Sequence, residues 1–187
     1  MGKQFTSIEP AHREFIERQH IFFNASAAST GRVNVSPRDV AALRVLDSHA
    51  VIYLDRTGSG NETAAHILAD GRLTLMFCAF EGAPLILRLY GRGRIIARRS
   101  PEYNNLLAAH YDNQEVPGAR QIVHLHVESV QTSCGMNVPF YDYTGERDQL
   151  TRWAEVKGET KLDEYRREKN TKSIDGLPTG LFETVSS

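Results

Sequence analysis

Strand-like segments follow one another too closely between His20 and Thr132 for a parallel α/β fold. About six such segments occupy this stretch, and only short helical patterns separate them. A parallel pair of strands needs a crossover of roughly a dozen residues or more, usually a helix, and few connections here leave room for one. The spacing therefore predicts a mainly β chain with short helices (α+β), folded as a mostly antiparallel barrel with helices at its ends.

The segment RLTLMFCAF, which begins at Arg72, is almost wholly apolar. Such a pattern is typical of a central strand that is covered on both faces. We expect a second copy of the chain to provide part of that cover, so that the protein forms a homodimer. By contrast, VNVSP alternates like the return strand of a hairpin, and we expect Pro37 to end it.

The segment PLILRLYGRGRIIAR shows the period of two of a strand, and its two glycines, Gly91 and Gly93, predict a bend or a close approach of two backbones. The arginines on its polar face would suit a nucleic-acid surface. However, no aromatic stacking platform accompanies them, and the net charge of the chain is only −1. We therefore interpret them as a solvated strand face and expect no nucleic-acid partner.

The two ends of the chain have helical patterns. AHREFIERQ, from Ala11 to Gln19, predicts a short amphipathic helix, and the segments after Pro139 are charged and helical. A length of 187 residues suits one domain with a small appendage. We predict a barrel domain with an N-terminal helix over residues 1–138, and a helical C-terminal appendage packed on the barrel over residues 139–187.

The sequence indicates a cytoplasmic protein without a membrane partner. No apolar run approaches the length of a membrane span, and MGKQFTSIEP lacks the apolar core of a secretory signal. The two cysteines, Cys78 and Cys134, lie far apart in the sequence. We expect both to be free thiols in a reducing compartment.

The stretch YLDRTGSGNET, from Tyr53 to Thr63, reads as a strand that enters a glycine turn, and the helical pattern TAAHIL follows it. The N–H groups at such a helix start favour an anion, and Arg56 offers a cation. Hydroxyl groups are available on Thr57, Ser59 and Thr63. The turn lacks the lysine of a P-loop and the spacing of a dinucleotide fingerprint. Asn61 would serve equally well as the N-cap of a plain connector, so a phosphate site and a simple turn both stay open.

A metal site is a further candidate, because His124, His126 and Glu128 alternate on one strand and so project from one face. Ile122 and Val130 should share that face, which favours structural histidines and no metal. No catalytic triad is evident, and nothing in the sequence supplies a base for Cys134. The catalytic residues therefore remain unknown.

The order of three segments resembles the pyridoxamine 5′-phosphate oxidase-like family of FMN-binding split β-barrels. They are GRVNVSP, then VIYLDRTGSGNETAAHILADGRLTLMFCAFEG, then ILRLYGRGRII. The resemblance covers roughly Phe22 to Arg98, and the stretch from TSCGMNVPFYDYTGERDQLTRWAEVKG to SIDGLPTGL resembles the C-terminal part of a bacterial subgroup. It implies an antiparallel split β-barrel of the FMN-binding type with a helical C-terminal segment, so that residues 1–138 would form the flavin-binding domain.

The resemblance also implies a cofactor site for FMN at a dimer interface. The strand Val33 to Pro37 would line the flavin, with Ser36 at a phosphate-contacting position. Tyr53 to Asp55 would run beside the isoalloxazine ring, and Arg56 to Thr63 would form the phosphate turn. The residues to which it assigns cofactor contacts are Asn34, Val35, Ser36, Pro37, Arg38, Tyr53, Leu54, Asp55, Arg56, Thr57, Gly58, Ser59, Asn61 and Thr63.

Two departures from the family pattern concern function. Many members carry a basic pair where this chain has Glu62 and Thr63, so Arg56, Arg38 and the turn amides would have to neutralise the phosphate. The Arg-x-Glu-Phe-Trp stretch of the true oxidase is also missing, which argues against pyridoxamine phosphate as substrate.

The resemblance therefore implies an FMN-dependent oxidoreductase that acts on an unidentified small molecule, with NAD(P)H as a candidate electron donor. The alternative is a non-catalytic protein on the same barrel that stores or senses a cofactor, either flavin or haem.

Overall fold

A computed structural model describes residues 2–183 of the chain. Within these residues, eight strands form one antiparallel sheet in the order β3-β2-β6-β7-β8-β5-β4, and β1 pairs with the end of β8. The strands are β1 (Lys3–Phe5), β2 (Ile21–Ser26), β3 (Asn34–Asp39), β4 (Leu43–Val45), β5 (Ala50–Arg56), β6 (Arg72–Cys78), β7 (Ile86–Ala97) and β8 (Ala119–Ser133). The helices are α1 (Pro10–Glu17), α2 (Glu62–Ala69), α3 (Pro101–His110) and α4 (Gln149–Lys169).

The sheet curls around a main core and covers a second, smaller one. The main core joins residues such as Phe22, Leu75 and Leu125, none of which is more than 1% exposed. The second lies beneath α3, where Ile122 of β8 packs with Tyr103. Successive side chains of one strand point to opposite faces of the sheet, so alternate residues of a strand pack in different cores. The chain is thus an antiparallel split β-barrel with short helices, and the predicted fold class is confirmed.

A β-bulge interrupts the pairing of β7 with β8. The pairing register shifts between Tyr90 and Gly91, and a Cβ atom on Gly91 would lie 1.8 Å from the carbonyl oxygen of His126. The predicted close approach of two backbones is therefore confirmed at this glycine. The bulge also changes the phase of β8, so that Val130 faces the main core together with Val127. The prediction that Val130 shares the face of the histidines is wrong for this reason.

Local residues set the start of α3 and shape the edge strand β3. Ser100 caps α3, because its Oγ accepts a hydrogen bond from the Tyr103 N–H at 3.1 Å. Pro37, however, does not end β3, which continues to Asp39. Proline is tolerated inside this strand because β3 is the edge of the sheet, where one side needs no ladder hydrogen bonds.

The C-terminal segment returns to the barrel. Helix α4 is broken at Gly158, whose φ is 68°. Beyond the break, the buried Arg166 donates to Thr57 Oγ1 at 2.7 Å and to the carbonyl of Ala119 at 3.0 Å. The last four residues of the appendage predicted over 139–187 lie outside the described residues, and the boundary at residue 138 stays a prediction. None of the helices in residues 2–183 is long and apolar enough to cross a membrane.

Candidate functional site

Two clefts meet at the end of β5, and Arg38 and Gly58 line both of them. The larger cleft has a volume of about 1000 Å³, and apolar and aromatic side chains such as Leu54, Tyr111 and Phe80 contribute much of its wall. The smaller cleft, of about 690 Å³, has a more polar wall, to which five Arg and Lys side chains contribute. The two clefts thus adjoin at Arg38 and Gly58, and the larger one is the more apolar of the two.

The edge strand β3 supplies one wall of the smaller cleft. Its side chains alternate between half-buried and exposed. Asn34, Ser36 and Arg38 face the cleft, whereas Val35 is 60% exposed on the opposite face. Because successive side chains of a strand point to opposite faces, only the residues on one face of β3 reach the smaller cleft.

A buried ion-pair network underlies the junction of the clefts. Asp55 is 2% exposed, and its Oδ2 accepts from Arg120 Nε at 2.7 Å and from Gln121 Nε2 at 2.8 Å. Its Oδ1 lies 3.3 Å from Arg38 Nη2. Burial opposes ionisation of Asp55, but the two guanidinium groups outweigh it and hold its pKa below the usual value. Asp55 is thus a carboxylate that fixes Arg38 in place.

A second set of hydrogen bonds joins β2 and β3 to the start of α2. Thr63 Oγ1 accepts from Asn24 Nδ2 at 2.7 Å and from Asn34 Nδ2 at 3.2 Å. Ser26 Oγ lies 3.1 Å from His66 Nδ1. This network places Thr63 and His66 on the wall of the smaller cleft.

Several buried polar atoms around these networks have no hydrogen-bond partner within residues 2–183. They include Tyr53 Oη, Asn61 Nδ2, His66 Nε2, Gln121 Oε1 and Asp55 Oδ1, the last of which still lies 3.3 Å from Arg38 Nη2. A buried polar group without a partner is costly, so a concentration of them indicates a place where a ligand or ordered water completes the bonding. Burial also raises the pKa of Tyr53, which keeps its hydroxyl protonated.

The structure brings together most of the residues predicted from the sequence, in two groups. The larger cleft contacts Pro37, Arg38, Tyr53, Leu54, Asp55, Arg56, Thr57 and Gly58. The smaller cleft contacts Asn34, Ser36, Arg38, Gly58, Ser59 and Thr63. Two predicted residues line neither cleft. Val35 lies on the outer face, and Asn61 is buried behind the turn, where its Oδ1 accepts from Gln121 at 2.8 Å. Their contacts with a cofactor stay predictions.

Arg56 points away from the polar turn. Its guanidinium donates to the carbonyl of Pro117 at 2.9 Å and to Thr151 Oγ1 at 3.0 Å. It therefore lines the larger cleft rather than the smaller one. The sequence-based expectation that Arg56 supplies the charge for a phosphate is not supported by this orientation.

The cations of the smaller cleft come instead from distant parts of the chain, and sequence reasoning missed most of them. Arg32, Arg38, Arg120, Lys169 and Lys172 line it, together with the imidazole of His66. No local motif marks Arg120 or Lys172, because sheet pairing and the return of the C-terminal tail bring them to the turn. Of these cations, only Arg38 is among the contacts that the family resemblance implies.

The remaining candidates from the sequence lie elsewhere. His126 stacks on His49 at 6.2 Å between ring centroids, and Glu128 lies 3.9 Å from Arg92. In the described part of the chain, no group of three or more His, Cys, Asp or Glu side chains is arranged to hold a metal ion. On β7, Arg94 pairs with Glu102, so this arginine face carries acidic partners.

The chain is similar in sequence to known proteins. The family model for pyridoxamine 5′-phosphate oxidase matches residues 8–134. The pyridoxamine 5′-phosphate oxidase family protein ustO of Aspergillus flavus is 36% identical over 192 residues, which cover 93% of this chain and 76% of that protein.

Solved structures show the same fold at low sequence identity. HupZ of Group A Streptococcus matches with a TM-score of 0.51 and 19% identity, over 66% of this chain and 91% of that chain. HutZ, the haem storage protein of Vibrio cholerae, matches with a TM-score of 0.50 and 16% identity, over 69% and 97%.

Proposed function

The chain belongs to the pyridoxamine 5′-phosphate oxidase family, and on that basis we propose that it binds FMN and acts as an oxidoreductase on a small molecule. The observation that carries this proposal is the meeting of an apolar cleft and a basic cleft at Arg38. FMN has the same two parts, a planar ring system and a phosphate. One ligand would therefore fill both compartments.

The residues present fit this cofactor. The ring would lie in the larger cleft beside Tyr53 and Leu54, where Tyr53 Oη lacks a partner among the described residues. The phosphate would lie in the smaller cleft against the hydroxyls of Ser36 and Ser59, and His66 Nε2 lacks a partner there within residues 2–183. When bound, FMN would supply the electron-transfer chemistry.

The chain's own contribution would be binding and orientation. Arg38 is held by Asp55 and by Asn24 Oδ1, which accepts from its Nε at 3.2 Å. A cation fixed in this way needs little reorganisation when an anionic ligand arrives. The buried hydroxyl of Tyr53 stays protonated and so could donate a hydrogen bond to a polar atom at the edge of a ring.

Glu62 also lines the smaller cleft, and its carboxylate is engaged by the C-terminal tail. It accepts the backbone N–H of Ile174 at 3.0 Å and so ties the C-terminal tail to the turn. A phosphate in this cleft would have Glu62 as a neighbour, and the five Arg and Lys side chains of the wall would have to outweigh its charge.

A homodimer is part of the proposal. The outer face of the sheet carries Val35, Phe23, Met76 and Tyr90, of which Val35 is 60% and Tyr90 36% exposed. Only one face of β6 is buried in the core, through Leu73, Leu75 and Phe77. A second copy that covers the outer face would remove this apolar surface from water and border the clefts from outside.

The cofactor is tested by adding FMN to the purified protein and recording its absorption and fluorescence spectra. We expect quenching of flavin fluorescence with saturation at one FMN per chain, followed by bleaching of the flavin band with NADH or NADPH under anaerobic conditions. A protein that leaves FMN fluorescence unchanged would refute flavin binding. Binding without reduction by any added donor would favour the storage or sensing alternative.

Haem is the second cofactor to test, through its Soret band. The larger cleft offers one imidazole among the described residues that line it, that of His20, and this ring stacks on Tyr143 at 3.7 Å between centroids. A haem iron would have to displace that contact to gain this ligand. The observation favours flavin as the occupant of the cleft.

A further inference from the structure

The C-terminal tail forms part of the wall of the smaller cleft and lies beyond residues 8–134, the part of the chain that the family model matches. Lys172, Ser173 and Ile174 contribute to its wall. We propose that Lys172 recognises the charge of a phosphate monoester in this cleft and so sets the preference for a phosphorylated ligand. This inference rests on the proposed function for the identity of the ligand as FMN, but not for the presence of an anion site.

The tail is anchored so that Lys172 is held at the cleft. Asn170, which precedes it, is fully buried, and its side chain accepts from Arg120 at 2.9 Å and donates to the carbonyl of Gly58 at 3.0 Å. On the far side, Glu62 accepts the N–H of Ile174. These contacts fix the backbone on both sides of Lys172 against the turn that starts α2.

Charge pairing singles out Lys172 among the cations of the cleft. Arg32 is paired with Asp175, Arg38 and Arg120 share Asp55, and Lys169 lies 2.8 Å from Glu168. Within residues 2–183, Lys172 has no acidic side chain within 4.0 Å of its ammonium group. It is therefore the cation whose charge is available to an incoming anion.

An independent observation also indicates a ligand in the same cleft. His66 is 1% exposed, and its Nε2 has no hydrogen-bond partner in the described chain, although its Nδ1 is engaged by Ser26. A buried nitrogen without a partner and an unpaired ammonium group thus border one polar cavity. Together with the hydroxyls of Ser36 and Ser59, they suit the oxygens of a phosphate monoester.

The test uses Lys172→Ala, with Lys161→Ala as the matched control, because Lys161 is exposed on α4 and lines neither cleft. Both lysines are exposed, so neither variant should impair folding. The first probe is inorganic phosphate at constant ionic strength, with chloride as the reference salt. We expect phosphate to raise the melting temperature of the wild type and of Lys161→Ala, and to have no such effect on Lys172→Ala.

The second probe is titration with FMN and with riboflavin, which lacks the phosphate. Lys172→Ala should weaken FMN binding about tenfold and leave riboflavin unchanged, since the loss of one charge-assisted contact corresponds to about 1.4 kcal/mol. Unchanged FMN affinity, or equal losses for both flavins, would overturn the role of Lys172. If no flavin binds but phosphate stabilisation still depends on Lys172, the FMN proposal fails and the anion site stands. If phosphate stabilises all three proteins equally, the site assigned to Lys172 is wrong.

Discussion

Asp55 and Arg120 form a buried ion pair across neighbouring strands, with 2.7 Å between Oδ2 and Nε, although 65 positions separate them in the sequence. Each residue is no more than 3% exposed. β5 and β8 pair so that Asp55 lies opposite Gln121, which places Arg120 next to the carboxylate. The pair sits directly beneath the junction of the two clefts and connects the fold to the proposed site.

Asp55→Asn should destabilise the protein markedly. The substitution leaves Arg120 and Arg38 without their shared buried carboxylate, and breaking a buried pair from one side typically costs about 3–5 kcal/mol. Chemical denaturation would measure the free energy of unfolding. Asp142→Asn, at an exposed position, is the control and should change it by less than about 0.5 kcal/mol. Equal effects of the two substitutions would contradict this account of the network.

The same pair predicts a pH dependence with a defined sign. The pKa of Asp55 is lower in the folded state than in the unfolded chain, where it is about 3.9. Its contribution to stability is therefore complete above about pH 5 and is lost as the pH falls through its folded value. The difference in unfolding free energy between the wild type and Asp55→Asn should shrink in acid. A difference that is constant down to the acid limit of folding would argue against an ionised Asp55.

Arg56→Ala should weaken FMN and riboflavin by similar factors. Its guanidinium faces the larger cleft and is engaged by Pro117 and Thr151, so its loss would affect the ring compartment rather than the phosphate. Flavin fluorescence titration with both ligands measures this, and Arg92→Ala on the exposed part of β7 should alter neither affinity. A loss confined to FMN would restore the sequence-based expectation that Arg56 contacts the phosphate.

Gly91→Ala should be far more damaging than Gly93→Ala. A Cβ atom at position 91 would lie 1.8 Å from the backbone oxygen of His126, which cannot move without breaking the β7–β8 ladder. At position 93 the nearest atom, at 2.7 Å, is the end of the Ile67 side chain, which can rotate away. Thermal unfolding of both variants makes the comparison. Similar melting temperatures would show that the bulge at Gly91 tolerates a side chain.

Val35→Glu should convert the proposed homodimer to a monomer. The residue is 60% exposed on the outer face of the edge strand, next to Ala25 of β2. A charge there would be buried without a partner if a second copy covers the face. Light scattering at micromolar concentration measures the mass, and Val156→Glu, at a valine that is 87% exposed on α4, should leave it unchanged. A monomeric wild type would refute the dimer itself.

The sequence alone determined the class of fold and the place of the turn. Alternating residues in β3 and β7, short helical segments and the Ser100 cap are local patterns, and each depends on neighbours only a few positions away. The close backbone approach at Gly91 could also be predicted from the sequence. A glycine inside a strand often marks a bulge or a neighbouring backbone that leaves no room for a side chain. The predictions were therefore correct for features that depend only on the local pattern of residues.

Only the tertiary structure decided which charges surround the polar cleft. Arg56 is the last residue of β5 and directly precedes the turn, but its guanidinium donates to Pro117 and Thr151, whereas Arg120 and Lys172 reach the cleft from β8 and from the C-terminal tail. The orientation of a long side chain depends on the partners that packing brings near it, and those partners are remote in the sequence. The sequence therefore predicted where the candidate site lies, and the pairing of β5 with β8 and the return of the tail determined which charges line it.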